Sequence, residues 1–80
     1  MSFTPTRTIV AMAADGRLSA QALLVGTMIY AFIDTHGRSP SVPVLSAMCR
    51  TDVRHIYRYL KELIDLGWIE KEVVNGVGAN

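Results

Sequence analysis

Residues 50–72 read RTDVRHIYRYLKELIDLGWIEKE, and their apolar periodicity predicts a helix over residues 53–66. The inward positions of this helix are held by Ile56, Tyr59, Leu60, Leu63 and Ile64. Asp52 can cap its N-terminus by accepting hydrogen bonds from backbone N–H groups of the first turn. Gly67 can end it, because glycine adopts a positive φ without steric cost.

Charge is distributed unevenly along the same stretch. Its first part carries Arg50, Arg54, Arg58 and Lys61 against one acid, Asp52. The later acids are Glu62, Asp65, Glu70 and Glu72. Charged residues on a helix face most often serve only to solvate it, but this bias in sign favours contact with an anionic partner. The later acids are then expected to lie beyond that contact.

The composition allows one domain over residues 1–80. Half of the residues are apolar, which is enough for a compact core, and the net charge is only +1. Global charge therefore does not call for a nucleic-acid partner, and any such case rests on local clustering. The single cysteine excludes an internal disulfide, and Cys49, His36 and His55 have no spacing typical of a zinc site. We expect no metal and no cofactor.

Several other classes of protein are not indicated. The N-terminus MSFTPTRTIV lacks the pattern of a secretory signal. The apolar tract 22–33 is shorter than the roughly 18–20 residues that a bilayer span needs. We therefore predict a cytoplasmic protein without a membrane partner. No phosphate-binding glycine loop, nucleophile–base pair or paired carboxylates are recognisable, so we predict no catalytic residues, no enzymatic activity and no small-molecule substrate.

The first half of the chain is expected to contain one long helix. Residues 1–7 look extended, and residues 8–15 fit either one or two helical turns or a short strand. Ser19 is placed to cap a helix over residues 20–35, which Gly37 would close. This helix is apolar nearly all round, which favours a central core helix. The alternative is that part of its surface meets a second subunit or a further domain.

A short second helix is predicted over residues 42–49. Ser41 can cap it, and Pro43 is tolerated in its first turn, where a missing N–H is no loss. The residues expected to pack on the long helix are Val44, Leu45 and Met48. Cys49 is expected to be a small buried hydrophobe.

A short β-hairpin is predicted after the helix over residues 53–66. The segment WIEKEVV alternates like a strand, and Asn75-Gly76 is a strong hairpin signal. The predicted fold is thus mainly α with a small β-hairpin, an α+β class. It is a winged helix-turn-helix of three helices plus a short wing. The helix-turn-helix spans about residues 41–66 and the wing about residues 68–80.

This arrangement suggests how the basic helix could be used. In a helix-turn-helix, the second helix enters the major groove of DNA. Arginine or lysine there can donate to guanine O6 and N7, while other basic groups neutralise phosphates. We therefore expect sequence-specific binding of double-stranded DNA through the helix over residues 53–66.

The motifs also carry a family resemblance. They are Leu18-Ser19 before the first helix, Pro40-Ser41 before the second, Asp52 as the cap, residues 57–63 and Gly67-Trp68-Ile69. With them the chain resembles the winged helix-turn-helix domains at the N-termini of plasmid and phage replication proteins and of related bacterial regulators. The resemblance implies the fold but not the biological process. Initiators of DNA replication, repressors that regulate transcription and partition proteins all share this fold.

The resemblance implies a set of DNA contacts. They come from Ser41, Arg50, Thr51, Arg54, His55, Tyr57, Arg58 and Lys61. Arg54 and His55 are the candidates for reading bases, and Arg50, Arg58 and Lys61 for binding phosphates. Tyr57 could donate to a phosphate or pack against its neighbours.

Two features depart from the family pattern. Arg50 stands where the turn usually has glycine, so either an arginine adopts the left-handed conformation or the turn has another shape. The sequence also stops at Asn80, so either it is a fragment of a longer protein or the wing is abbreviated.

A different class of function remains open at this point. The apolar face of the helix over residues 20–35 could bind another protein or a second copy of the chain, without any DNA binding. A homodimer that does bind DNA would place two recognition helices one DNA turn apart and require a repeated or palindromic site.

Overall fold

The computed structural model describes residues 5–70, which form four helices in a single bundle. They are α1 (Pro5–Ala13), α2 (Ala20–His36), α3 (Val42–Cys49) and α4 (Val53–Asp65). Helix α2 contacts each of the other three helices, and α3 also contacts α4. The central position predicted for the long helix is thereby confirmed.

The predicted α+β class is wrong for the part of the chain that the structure describes, because residues 5–70 contain no strand. The predicted total of three helices is also wrong, since residues 5–70 alone form four. Of the expected wing over residues 68–80, the first three residues form no strand, and residues 71–80 lie outside the described part.

The end of α4 gives the physical reason. The Gly67 N–H donates to the Ile64 carbonyl at 3.0 Å, and the Trp68 N–H donates to the Leu63 carbonyl at 2.9 Å. With Gly67 at φ 83°, this is a Schellman motif. The Trp68 N–H, with which the expected strand would begin, is therefore used to close the helix.

Helix α1 resolves the segment that the sequence left open. Pro5 begins it, which is compatible with a first turn that needs no N–H from that residue. The helical alternative for residues 8–15 is confirmed over residues 8–13, whereas the extended conformation expected for residues 5–7 is wrong. Met12 anchors α1 in the core with no exposed surface.

The core lies where the four helices meet. Its buried apolar residues are Met12, Ala22, Val25, Ile29, Val42, Leu45, Cys49, Ile56, Leu60, Leu63 and Ile69. Gly26 allows the helices to approach closely, because a Cβ at this position would lie 2.8 Å from the Met12 sulfur and 3.2 Å from Leu63 Cδ2. Val44 and Met48 were expected to pack on α2, but they are 39% and 38% exposed. Only Leu45 of those three is buried.

All predicted helix caps are confirmed. Ser19, Ser41 and Asp52 each accept a backbone N–H of the helix that follows. Gly37 adopts the left-handed conformation at the end of α2 and donates its N–H to the Ile33 carbonyl.

The N-terminus of α2 is also held by a residue of α4. Glu62 accepts the Ser19 N–H at 2.8 Å and the Ser19 hydroxyl at 3.1 Å. In a local capping box, a glutamate three residues after the cap plays this part, but here that position is Ala22. Glu62 supplies the missing carboxylate from another helix, and so joins α4 to α2.

A second set of polar contacts holds the chain after α4. Asp15 accepts the Trp68 indole N–H at 2.7 Å, and the Tyr30 hydroxyl donates to the Trp68 carbonyl at 2.5 Å. Asp15 also accepts the guanidinium and the backbone N–H of Arg17. Hydrogen bonds from Arg17, and then from Trp68, hold the pKa of Asp15 far below its ordinary value. Its ionised carboxylate therefore connects the segment between α1 and α2 with the segment after α4.

Candidate nucleic-acid interface

The basic residues of α4 lie on its exposed side because the opposite side is fully used by the core. Ile56, Leu60 and Leu63 are buried, as their spacing predicted. The side chains of Arg54 and Lys61 are 85% and 76% exposed. The strong separation of apolar and charged residues around this helix determines which face solvent can reach.

Three of the predicted site residues are brought together. Arg54, His55 and Arg58 line a shallow depression of about 240 Å³. The other predicted residues do not line it. These are Ser41, Arg50, Thr51, Tyr57 and Lys61.

Arg58 is held in place within this depression. Its Nη2 donates to His55 Nδ1 at 3.1 Å and lies 3.4 Å from the Tyr59 hydroxyl. Its guanidinium carbon is 5.3 Å from the centroid of the Tyr59 ring, within range of a cation–π contact. Sequence reasoning assigned Tyr59 only to the inward stripe of α4, and its contact with Arg58 was missed because neighbours in sequence do not share a helix face.

Arg54 is partly engaged by the residue that caps α4. Asp52 Oδ1 accepts the Arg54 backbone N–H at 2.8 Å and its Nε at 3.2 Å. These two hydrogen bonds, the backbone one first, lower the pKa of Asp52. Among the described residues, the terminal Nη groups of Arg54 have no hydrogen-bond partner. They remain available to a ligand.

Lys61 forms an ion pair within α4. Its Nζ lies 3.1 Å from Asp65 Oδ2, four residues on, and both side chains are largely exposed. Exposed pairs of this kind contribute about 0–1 kcal/mol, so Lys61 could exchange this partner for a phosphate at little cost. The acidic residues after Lys61 were expected to lie beyond the contact with DNA. Asp65 instead pairs with Lys61, one of the predicted contact residues, and Glu62 binds Ser19.

The turn before α4 has an unusual conformation. Arg50 adopts φ 53° and ψ 46°, the left-handed region, and is the non-glycine residue with positive φ among those described. The Thr51 N–H donates to the Ser46 carbonyl at 3.0 Å and the Arg50 N–H to the Ala47 carbonyl at 3.4 Å. This is again a Schellman motif, with an arginine at its glycine position. Of the two possibilities that the sequence left open, an arginine in the left-handed conformation is the one observed.

Side chains around the turn are mostly used to stabilise it. The Ser46 hydroxyl donates to the Thr51 carbonyl, and the Thr51 hydroxyl donates to the Cys49 carbonyl at 3.0 Å. The Ser41 hydroxyl accepts the Val44 N–H at 3.3 Å. Arg50 is exposed, and its guanidinium has no partner among residues 5–70. Of the predicted contacts outside α4, Arg50 is therefore the one with a charge available to a ligand.

No group of three or more histidine, cysteine, aspartate or glutamate side chains within residues 5–70 is placed to hold a metal ion. Burial raises the pKa of the Cys49 thiol, which keeps it protonated. None of the helices described is both long enough and apolar enough to cross a membrane.

Comparison of the chain with protein-family models, with curated proteins and with solved structures finds no match.

Proposed function

We propose that this domain binds double-stranded DNA through the exposed face of α4. The observation that carries the proposal is the convergence of Arg54, His55 and Arg58 on one open depression of that face. A helix of 13 residues is about 20 Å long and narrow enough for the major groove, which is roughly 12 Å wide. Its core-facing residues are buried, so a ligand would meet the exposed side, which presents Tyr57 and Val53 as well as the charged residues.

The segment before α4 supports the same function. Helix α3 contacts α4 and is joined to it by a turn of three residues, Arg50 to Asp52. Arg50, in this turn, adds an exposed basic side chain just before α4. The motifs shared with replication initiators and bacterial regulators favour a role in plasmid or phage replication or in transcription, and hence a cytoplasmic protein.

The competing proposal, a dimerisation module based on α2, has less support. Helix α2 packs against α1, α3 and α4, and Leu24 is its large apolar side chain with the greatest exposure, 44%. One such residue is ordinary for a protein surface. Dimerisation through this helix stays a prediction that sedimentation with and without DNA can test.

Duplex affinity measured against salt concentration tests DNA binding. Fluorescence anisotropy with a labelled duplex should show log K falling linearly with log salt, by about 0.9 for each phosphate neutralised. Arg54→Ala and Arg58→Ala should each weaken binding, by about 1–3 kcal/mol for a residue that makes a bidentate guanine contact. Arg7→Ala is the matched control, since Arg7 is exposed on α1.

Two results would contradict the proposal. One is the absence of duplex binding even at low salt. The other is an equal loss of affinity in the Arg7 variant, which would show that only overall charge matters. Selection of bound sequences from a random duplex pool would then report specificity and the symmetry of the site.

A further inference from the structure

The geometry points to Arg54, His55 and Arg58 as one binding site for a single tetrahedral oxyanion, occupied in the DNA complex by one backbone phosphodiester. This inference rests on the proposed function and reassigns two residues, Arg54 and His55, that the sequence suggested as readers of bases. It also makes Arg58 the centre of the site, and not an isolated phosphate contact.

The first argument is the orientation of Arg58. A side chain that reads a guanine must extend away from its helix toward the floor of the groove. Arg58 instead lies against α4, with Nη2 on His55 Nδ1 and the guanidinium over the Tyr59 ring. Its Nε and Nη1 groups make no hydrogen bond to residues 5–70, so they can donate to an anion at the helix surface.

The second argument is the hydrogen on His55. Because His55 Nδ1 accepts from Arg58, a neutral His55 ring carries its hydrogen on Nε2. The contact with Arg58 therefore makes the other ring nitrogen a donor. His55 can thus add an N–H to the site beside the two guanidinium groups.

The third argument is the way Asp52 orients Arg54. The carboxylate accepts the Arg54 Nε at 3.2 Å, which leaves both terminal nitrogens of that guanidinium for a ligand. Asp52 cancels one unit of charge, so the two arginines and the aspartate together leave a net charge of +1. That balance suits the single negative charge of a phosphodiester.

The shape of the site agrees with a compact anion. The depression has a volume of about 240 Å³, several times the roughly 30 Å³ that one water molecule occupies in the liquid. It is concave and open, and it is lined by these three residues alone. Donors from three side chains on this open face can converge on the oxygens of one tetrahedral oxyanion.

Inorganic phosphate is the first probe. It should be titrated into the full chain against sodium chloride at matched ionic strength, while NMR follows the Arg54 and Arg58 Nε–H signals and the His55 ring. We expect saturating changes with one common midpoint at all three residues. His36, an exposed histidine stacked on Phe32 at the end of α2, is the internal reference and should not respond. Equal, non-saturating changes at His36 and His55 would overturn the site.

Arg58→Lys is the matching variant, because it keeps the charge and removes the planar fork. We expect it to weaken phosphate binding roughly tenfold or more, whereas Arg7→Lys leaves binding unchanged. An unaltered far-UV circular dichroism spectrum shows that the variant folds. The titration of the unmodified protein does not depend on any variant.

A duplex arm separates this inference from the proposed function. Phosphate should compete with duplex more strongly than chloride does, and less so in Arg58→Lys. If duplex binds but phosphate neither saturates the three residues nor competes, the anion site is overturned and DNA binding stands. If phosphate saturates them but no duplex binds at low salt, DNA as the occupant is overturned together with the proposed function.

Discussion

Arg50 occupies a backbone conformation that glycine would adopt at lower cost. Its φ of 53° and ψ of 46° lie in the left-handed region, where an L-residue with a Cβ loses about 1–2 kcal/mol. The side chain is exposed and makes no hydrogen bond or ion pair with residues 5–70, so its removal sacrifices little within the domain. Arg50→Gly should therefore stabilise the fold.

The expected size follows from two opposing effects. Relief of strain gives about 1–2 kcal/mol, and the greater freedom of glycine in the unfolded chain takes back about 0.5–1 kcal/mol. The net gain in the free energy of unfolding is about 0.5–1 kcal/mol. For a domain of this size, that corresponds to a rise in Tm of about 2–8 °C.

Urea unfolding followed by circular dichroism measures this gain as a higher midpoint with an unchanged slope. Arg50→Ala is the control, because it loses the charge and keeps the strain. The glycine variant should be the more stable of the two. Equal midpoints in the two variants, or a glycine variant less stable than the parent, would refute the reasoning about strain.

The same variants test the role of the Arg50 charge. If Arg50 binds a phosphate, glycine and alanine should weaken duplex binding equally and reduce the salt slope by about 0.9. Arg50→Gly would then gain stability while losing affinity, as expected where a strained residue is used for function.

Three further predictions concern the tertiary contacts. Glu62→Gln should lower the free energy of unfolding by about 1–2 kcal/mol, because an uncharged amide keeps only one of the two acceptor oxygens that bind the start of α2. Exposed Asp65→Asn should change it by less. Because the pKa of Asp15 is lowered in the folded state, its ionised carboxylate stabilises the fold at pH values above its ordinary pKa. This stabilisation is lost as the pH falls from there through the pKa of the folded state. Urea midpoints should therefore drop below about pH 4 in the parent and much less in Asp15→Asn, with Trp68 fluorescence as a probe. Gly26→Val should lower the free energy of unfolding from urea titration by about 1–3 kcal/mol, because its Cβ would lie 2.8 Å from the sulfur of buried Met12.

Each of these three has an outcome that would count against it. Equal losses in the free energy of unfolding for Glu62→Gln and Asp65→Asn would mean that the contact of Glu62 with α2 stabilises the fold no more than an exposed ion pair does. Parallel pH profiles would remove Asp15 from the acid sensitivity. A stable Gly26→Val would show that the core beside it can rearrange freely, whereas Gly16→Val meets open space and should be tolerated sterically.

The caps of the helices could be predicted because they depend on short-range chemistry. Ser19, Ser41 and Asp52 each bind N–H groups only two or three residues away. Gly37 and Gly67 mark helix ends for the same local reason. The start and end of α2, α3 and α4 were therefore correct to within one residue.

The strand expected at Trp68 was wrong because alternation of side chains says nothing about where backbone N–H groups are used. The Schellman motif at Gly67 uses the Trp68 N–H to close α4. Helix α1 was ambiguous because its nine residues include four β-branched ones and are too few to form a stable helix alone. Packing of Met12 against α2 supplies the missing stability.

The candidate site was likewise predictable from the sequence only in part. Arg54, His55 and Arg58 were each predicted from charge and spacing on α4. Their convergence on one depression depends on side-chain conformations that Asp52 and Tyr59 stabilise, and no spacing rule predicts these.

The sequence by itself determined which residues of α4 face the core, because a periodicity of 3.6 assigns every residue to a side of the helix. It also determined that Arg54, Arg58 and Lys61 precede Glu62 and Asp65 along α4. Only the tertiary structure decided what Glu62 does. Glu62 caps α2 from 43 positions away in the chain. A contact of that kind exists only once the helices are packed, because folding alone brings the carboxylate to the open end of another helix.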